Sequence, residues 1–176
     1  LIGVGTLLDN RPSQHTYRAF SFVRVMRIPT GLYAGVVQRN GLLARMRRTA
    51  ELHTFLDTID LFSEGLPVDV FGRIVDAAVE KRFLPGAIIA GEDLDALNVI
   101  RSGVVERAVG NKVLDVLPAR DFFGEEGAIF KVPCLFHLRV LEDTAVVQIP
   151  GELLADVPIV RWKLFESYQQ RVARVI

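Results

Sequence analysis

The chain resembles itself at an offset of 121 residues, which constrains its architecture more than any other feature. Ile2–Pro12, "IGVGTLLDNRP", falls on Phe123–Pro133, "FGEEGAIFKVP", with Gly3 on Gly124 and Pro12 on Pro133. Further along, Arg18–Val37 falls on Arg139–Pro158 without a gap. There Arg18, Val25, Ile28, Pro29, Leu32, Ala34 and Val36 meet Arg139, Val146, Ile149, Pro150, Leu153, Ala155 and Val157. These are glycine and proline positions, which fix backbone, and apolar positions, which fill cores. A period this long means duplicated domains rather than a solenoid. The first copy is then cut. Residues 1–50 supply its C-terminal part, 51–60 form a helical connector, and 61–176 form a complete second domain. The abrupt start at Leu1 reads as a fragment of a longer protein.

Within the complete copy, "LPVDVFGRIVDAAVE" carries apolar residues at Val68, Val70, Phe71, Ile74, Val75 and Val79, the spacing of a short amphipathic helix. Short apolar runs follow, cut by Pro85-Gly86, Gly91, Ser102-Gly103 and Gly110-Asn111. Runs of this length and spacing predict an antiparallel roll or sandwich. "HLRVLEDTAVVQI" adds two strands around a turn at Glu142-Asp143, and Pro150 opens a short helix. Val160, Leu164, Tyr168, Val172 and Ile176 then recur every four residues, a helical stripe. In the first copy, "GLLARMRRTAELHTFLDTIDLF" continues as helix into the second domain.

Composition removes several classes of function. The 21 basic and 21 acidic residues cancel, so a broad nucleic-acid surface is not expected. A single cysteine permits no internal disulfide and no cysteine cage for a metal, and it suits a reducing cytoplasm. His15, His53 and His137 lack metal-ligand spacing, so no metal is expected. No apolar run approaches the roughly 18 residues of a membrane span. No nucleophile motif or triphosphate loop is readable, and the chain is expected not to be an enzyme.

"FLPGAIIAGEDLDALNVIRSGVVE" and "DFFGEEGAIF", with the ordered glycines Gly86, Gly91, Gly103 and Gly124, resemble the cyclic nucleotide-binding domain family. That family includes the catabolite activator protein and the regulatory subunits of cyclic-nucleotide-dependent kinases. The resemblance covers residues 61–176, and "GVGTLLDNRPSQHTYRAFSFVRVMRIP" resembles the second half of the same domain. It implies a mainly β fold, an eight-stranded antiparallel β-roll of the jelly-roll (double-stranded β-helix) type, with flanking α-helices.

The resemblance also implies a ligand-binding loop made of Phe123, Gly124, Glu125, Glu126, Gly127, Ala128, Cys134 and His137. In the family a short helix N-terminus cradles the cyclic phosphate, an arginine pairs with it, and the glutamate takes the ribose hydroxyl. Phe123, Gly124, Glu125 and Pro133 match that pattern. Cys134 stands at the arginine position, Phe136 at a small-residue position and His137 at a hydroxyl position. The first copy has Val4 for the glutamate and Ser13 for the arginine, and Arg120 replaces a glycine usual before the loop. Losing one charge-assisted contact costs about 1.5–3 kcal/mol, roughly tenfold to several hundredfold in affinity. With the bulk of Phe136 added, ordinary cAMP or cGMP binding is not expected.

The residue-level alternatives are blander. Glu125 can be a helix N-terminal acid, Cys134 a small buried filler, and His137 an ordinary strand residue. The function expected is therefore a non-catalytic regulatory or sensor module with a degenerate loop. Its partners would be a small nucleotide-like ligand and an effector elsewhere in the same protein. Two alternatives stand beside it. One is a structural or dimerisation module, pairing through the last helix, that binds no nucleotide. The other is the ligand-binding part of a transcription regulator of the catabolite-activator type.

Overall fold

The computed structural model describes residues 3, 16–63 and 65–174. The chain divides into two compact units, residues 1–52 and 53–176. In the first unit, residues 17–29 form no regular element, and helix α1 (Thr30–Arg39) follows Pro29. Asn40 and Gly41 end α1: Asn40 Nδ2 donates to the Val36 carbonyl at 2.8 Å, and Gly41 takes a φ of 64°. Helix α2 (Leu43–Asp57) follows. Val4, Arg11, Pro12, Ser13 and His15, on which part of the repeat rests, lie outside the described residues, as does Ile176 at the end of the helical stripe.

The second unit holds the roll. Helix α3 (Val68–Ala77) buries Phe71, Ile74 and Val75, as its spacing predicted. Eight strands follow: β1 (Val79–Phe83), β2 (Ile88–Ile89), β3 (Ala96–Ser102), β4 (Val105–Val109), β5 (Lys112–Leu117), β6 (Phe122–Phe123), β7 (His137–Val140) and β8 (Thr144–Pro150). They form two four-stranded sheets, β1-β8-β3-β6 and β2-β7-β4-β5, and every pairing is antiparallel. The inward faces meet in a core of Phe83, Ile89, Ile100, Val105, Leu117, Phe123, Leu138, Val140 and Val146.

Gly103 shows why turn residues in this fold are constrained. Its φ is 93°, and a Cβ there would lie 2.3 Å from Thr144 Oγ1 and 2.6 Å from Thr144 Cα. Thr144, fully buried, accepts from the Val104 amide and donates to the Glu142 carbonyl at 2.8 Å. The turn between β3 and β4 is thus pinned to the start of β8.

After β8, Pro150 leads into α4 (Gly151–Ala155), and α5 (Pro158–Ala173) closes the chain with proline at its first turn. Of the predicted stripe, Val160 and Leu164 are fully buried, and Tyr168 and Val172 are half-buried. A polar residue on the same side, Arg171, is buried with them.

Candidate functional site

The loop between β6 and β7 begins on a fixed backbone. Arg120 donates its amide to Ile100, Ile100 donates to Asp121, and Gly124 has a φ of 89°. A Cβ at Gly124 would meet the Ala96 carbonyl oxygen at 2.5 Å, so only glycine permits this approach to β3. Arg120 itself holds a left-handed φ of 76°, a conformation that costs a side-chain-bearing residue about 1–2 kcal/mol. This accounts for the glycine usual at that position.

Glu126–Phe130 form one turn of π-helix, ended by Lys131 in the left-handed conformation at a φ of 56°. The turn packs closely on its neighbours. A Cβ at Gly127 would lie 2.4 Å from the Leu94 carbonyl oxygen, and one at Gly151 would lie 2.0 Å from that of Ala128. Helix α4 therefore sits directly on the turn.

Phe123 belongs to the core, and Gly124 and Ala128 are buried. Glu125 is fully buried and Glu126 nearly so. Gly127 and Cys134 are half-buried, while His137 is exposed on β7 opposite Ala108. The structure thus brings Glu125, Glu126 and Cys134 into one electrostatic neighbourhood and leaves His137 at the surface.

The partner of Glu125 comes from α5. Arg171 donates through Nη1 to Glu125 Oε1, and through Nη2 to Asp121 Oδ1 at 2.9 Å and the Phe122 carbonyl at 3.0 Å. Its guanidinium stacks on the Phe122 ring with 4.5 Å to the centroid. Glu125 Oε2 has no hydrogen-bond partner. Arg171 escaped the sequence reading because it lies beside an apolar stripe. The signal was there: it stands seven residues beyond the buried Leu164, on the inward face.

A second buried arginine lies on β4. Arg107 of β4 pairs with Asp115 of β5, its Nε to Oδ1 at 2.9 Å and its Nη2 to Oδ2, and Arg174 adds a contact to Oδ2 at 3.1 Å. Arg107 stacks on the ring of Phe136, 4.7 Å to the centroid, and Phe136 is buried. The bulk expected at position 136 is therefore accommodated inside the domain, under a guanidinium that is already paired.

Burial pushes the Glu126 carboxyl up from 4.5, and the Glu125 charge pushes it further. A hydrogen bond from its own backbone amide and the charges of Arg171 and Arg107 pull it back, leaving it at about 7. Burial, and then the charge of Glu126, raise the Cys134 thiol to about 11, so it is neutral at physiological pH. Its Sγ donates weakly to the Phe136 carbonyl at 3.5 Å. At the position where the family resemblance implies an arginine, this loop places a neutral thiol beside two buried acids.

No family model matches the sequence. The regulatory domain of Toxoplasma gondii protein kinase A, solved with cAMP, superposes with a TM-score of 0.65 at 18% identity. The match covers 80% of this chain and 56% of that one. The chain carries the cyclic nucleotide-binding domain fold. A regulatory subunit of a cAMP-independent protein kinase A from Trypanosoma cruzi, solved with guanosine, shares that fold with a TM-score of 0.60 at 17% identity. Here the match covers 83% of this chain and 55% of that one. In sequence, a cGMP-dependent protein kinase of Toxoplasma gondii is 32% identical over 110 residues, 61% of this chain and 11% of the kinase. The chain thus spans about a tenth of the length of that relative. Both solved relatives are regulatory parts of kinases. Among the described residues no helix is long and apolar enough to cross a membrane.

Proposed function

We propose that the chain is a non-catalytic, cytoplasmic regulatory module whose loop does not hold a cyclic phosphate in the usual way. Its output would be the docking of α5 on that loop. The observation that carries this is Arg171. A buried guanidinium from α5 already satisfies Glu125, the carboxylate that the family resemblance assigns to the ribose hydroxyl. The helix and a ligand would thus compete for one residue, which couples occupancy to helix position. Cys134 in place of the arginine and the buried Phe136 both weigh against cAMP and cGMP. A ligand without a phosphate suits the loop better. Glu125 Oε2 is a buried acceptor without a partner that a ligand hydroxyl would take as Arg171 is displaced, and the T. cruzi relative was solved with a nucleoside.

The effector belongs to the rest of the protein, and a kinase is the reading that the sequence relatives support. Residues 1–50 would be the end of a first domain of the same type. In support, Pro29 and Pro150 stand immediately before α1 and α4, and Gly3 and Gly124 have φ of 87° and 89°.

A second reading is a structural or dimerisation module with a closed site. It is favoured by Phe136 and Arg171 occupying the interior, and by Trp162 and Phe165 standing exposed around an open groove of about 620 Å3 on α5. Isothermal titration with cAMP, cGMP and guanosine separates the readings. Guanosine binding with cyclic nucleotides silent supports the sensor, and silence throughout supports the closed module. Micromolar cAMP binding by the unaltered chain would refute the account of the missing arginine.

A further inference from the structure

Two carboxylates, Glu125 and Glu126, are buried next to each other at the head of the turn, and one guanidinium, Arg171, reaches Glu125 from α5. The other nearby cation, Arg107 of β4, is committed to Asp115 of β5 through two nitrogens, and Arg174 also bonds to that aspartate. Asp121 takes the second arm of Arg171. Around the turn, β3 presents the neutral Asn98, the turn before β3 presents Asp95, and the strand approach to β7 presents the neutral Cys134. Counting Asp95, five carboxyl groups face three guanidiniums, so the surroundings of Glu126 are short of positive charge. A buried carboxylate without a counter-charge is costly, so such a site binds a proton instead.

We propose that Glu126 is a proton gate on the α5 latch: with its proton bound, the turn stays closed and Arg171 stays seated on Glu125. When the proton leaves, the Glu126 carboxylate is drawn out to water, the π-helical turn opens, and Arg171 loses its fixed partner. The proposal rests on the Arg171 latch described above. Burial supports it by holding the Glu126 carboxyl at about 7, against 4.5 for an exposed glutamate. The closed state therefore binds the proton more tightly than the open state. Its advantage is complete below about 4.5 and is lost as pH rises through about 7. Between about pH 6 and about pH 8, linkage then raises the opening equilibrium about tenfold.

Amide exchange of the ligand-free chain, corrected for the intrinsic pH dependence of exchange, reads this equilibrium at residues 121–130 and 171–174. Wild type should open about tenfold more at the higher pH. Glu126→Gln, and as a second variant Glu126→Leu, should show no such change while keeping the far-ultraviolet dichroism of the wild type. Arg171→Ala should raise exchange in both segments at both pH values. If Arg171→Ala opens the segments but wild type shows no pH response, the gate is wrong and the latch stands. If Arg171→Ala leaves exchange unchanged, the latch itself is wrong. A pH response that survives in both Glu126 variants assigns the proton to another group and overturns the proposal.

Discussion

Arg171 in α5 and Glu125 at the head of the loop turn are 46 residues apart in sequence, both buried, and bonded to each other. A buried ion pair costs desolvation at both ends, and breaking one half leaves the other uncompensated, a loss of about 3–5 kcal/mol. Asp121 and the Phe122 carbonyl would keep part of the hold on Arg171, which places Glu125→Ala near the lower end. Replacing both partners with apolar residues, Arg171→Met with Glu125→Leu, removes the charges together. Urea denaturation should show the double variant less destabilised than the sum of the singles, with a coupling of about 1–3 kcal/mol. Strict additivity would mean that the pair does not hold α5 to the loop.

The glycines separate backbone strain from crowding. Gly86 and Gly103 both have positive φ, 84° and 93°, but a Cβ at Gly86 meets nothing within 4 Å, whereas one at Gly103 runs into Thr144. Gly86→Ala should therefore cost only the conformational strain, about 1–2 kcal/mol. Gly103→Ala should cost more, because the obstructing atoms include the backbone of the fully buried Thr144. The comparison is of denaturation midpoints for the two variants, and equal losses would contradict the packing described for the β3–β4 turn.

Cys134 carries a clean chemical prediction. At about pH 8 a thiol held at about 11 is ionised roughly a hundred times less than one at 9.0. Alkylation by a neutral reagent such as iodoacetamide should therefore run about a hundredfold more slowly on the native chain than on the urea-unfolded chain. Labelling at the unfolded rate would mean that the loop does not enclose the thiol.

Much of the roll was legible because backbone-special residues mark it locally. Gly86, Gly91, Gly103 and Gly110 all have positive φ at turns, and Glu142-Asp143 separates β7 from β8 as predicted. The loop turn was legible for the same reason, since Gly124 must approach β3. The charged interior was not. Arg171 finds its partners 46 and 50 residues away, across a boundary that no helical period spans. Arg107 was closer to being readable. It stands two residues from the buried Val105 on β4, and Asp115 stands two from the buried Leu117 on β5, so strand alternation puts both on the inward side. What the alternation could not say is that the two strands pair with Arg107 directly opposite Asp115. Lys131, left-handed at the end of the π-helical turn, had no local signal either.

If the loop is a cyclic-phosphate cradle altered at Cys134 and Phe136, as the proposed function holds, restoring one position should not be enough. Cys134→Arg supplies a cation, but Phe136 remains buried in the interior beneath Arg107, where the family pattern has a small residue. Phe136→Ala alone opens space without adding a counter-charge. Only Cys134→Arg with Phe136→Ala gives both room and charge. Calorimetric titration with cAMP and cGMP should show the double variant binding about tenfold to several hundredfold more tightly than either single variant, the value of one charge-assisted contact. A single Cys134→Arg variant that binds as well as the double would mean that Phe136 does not obstruct the site. No binding in the double would place the block at Arg171 instead, and adding Arg171→Met to that variant should then release it.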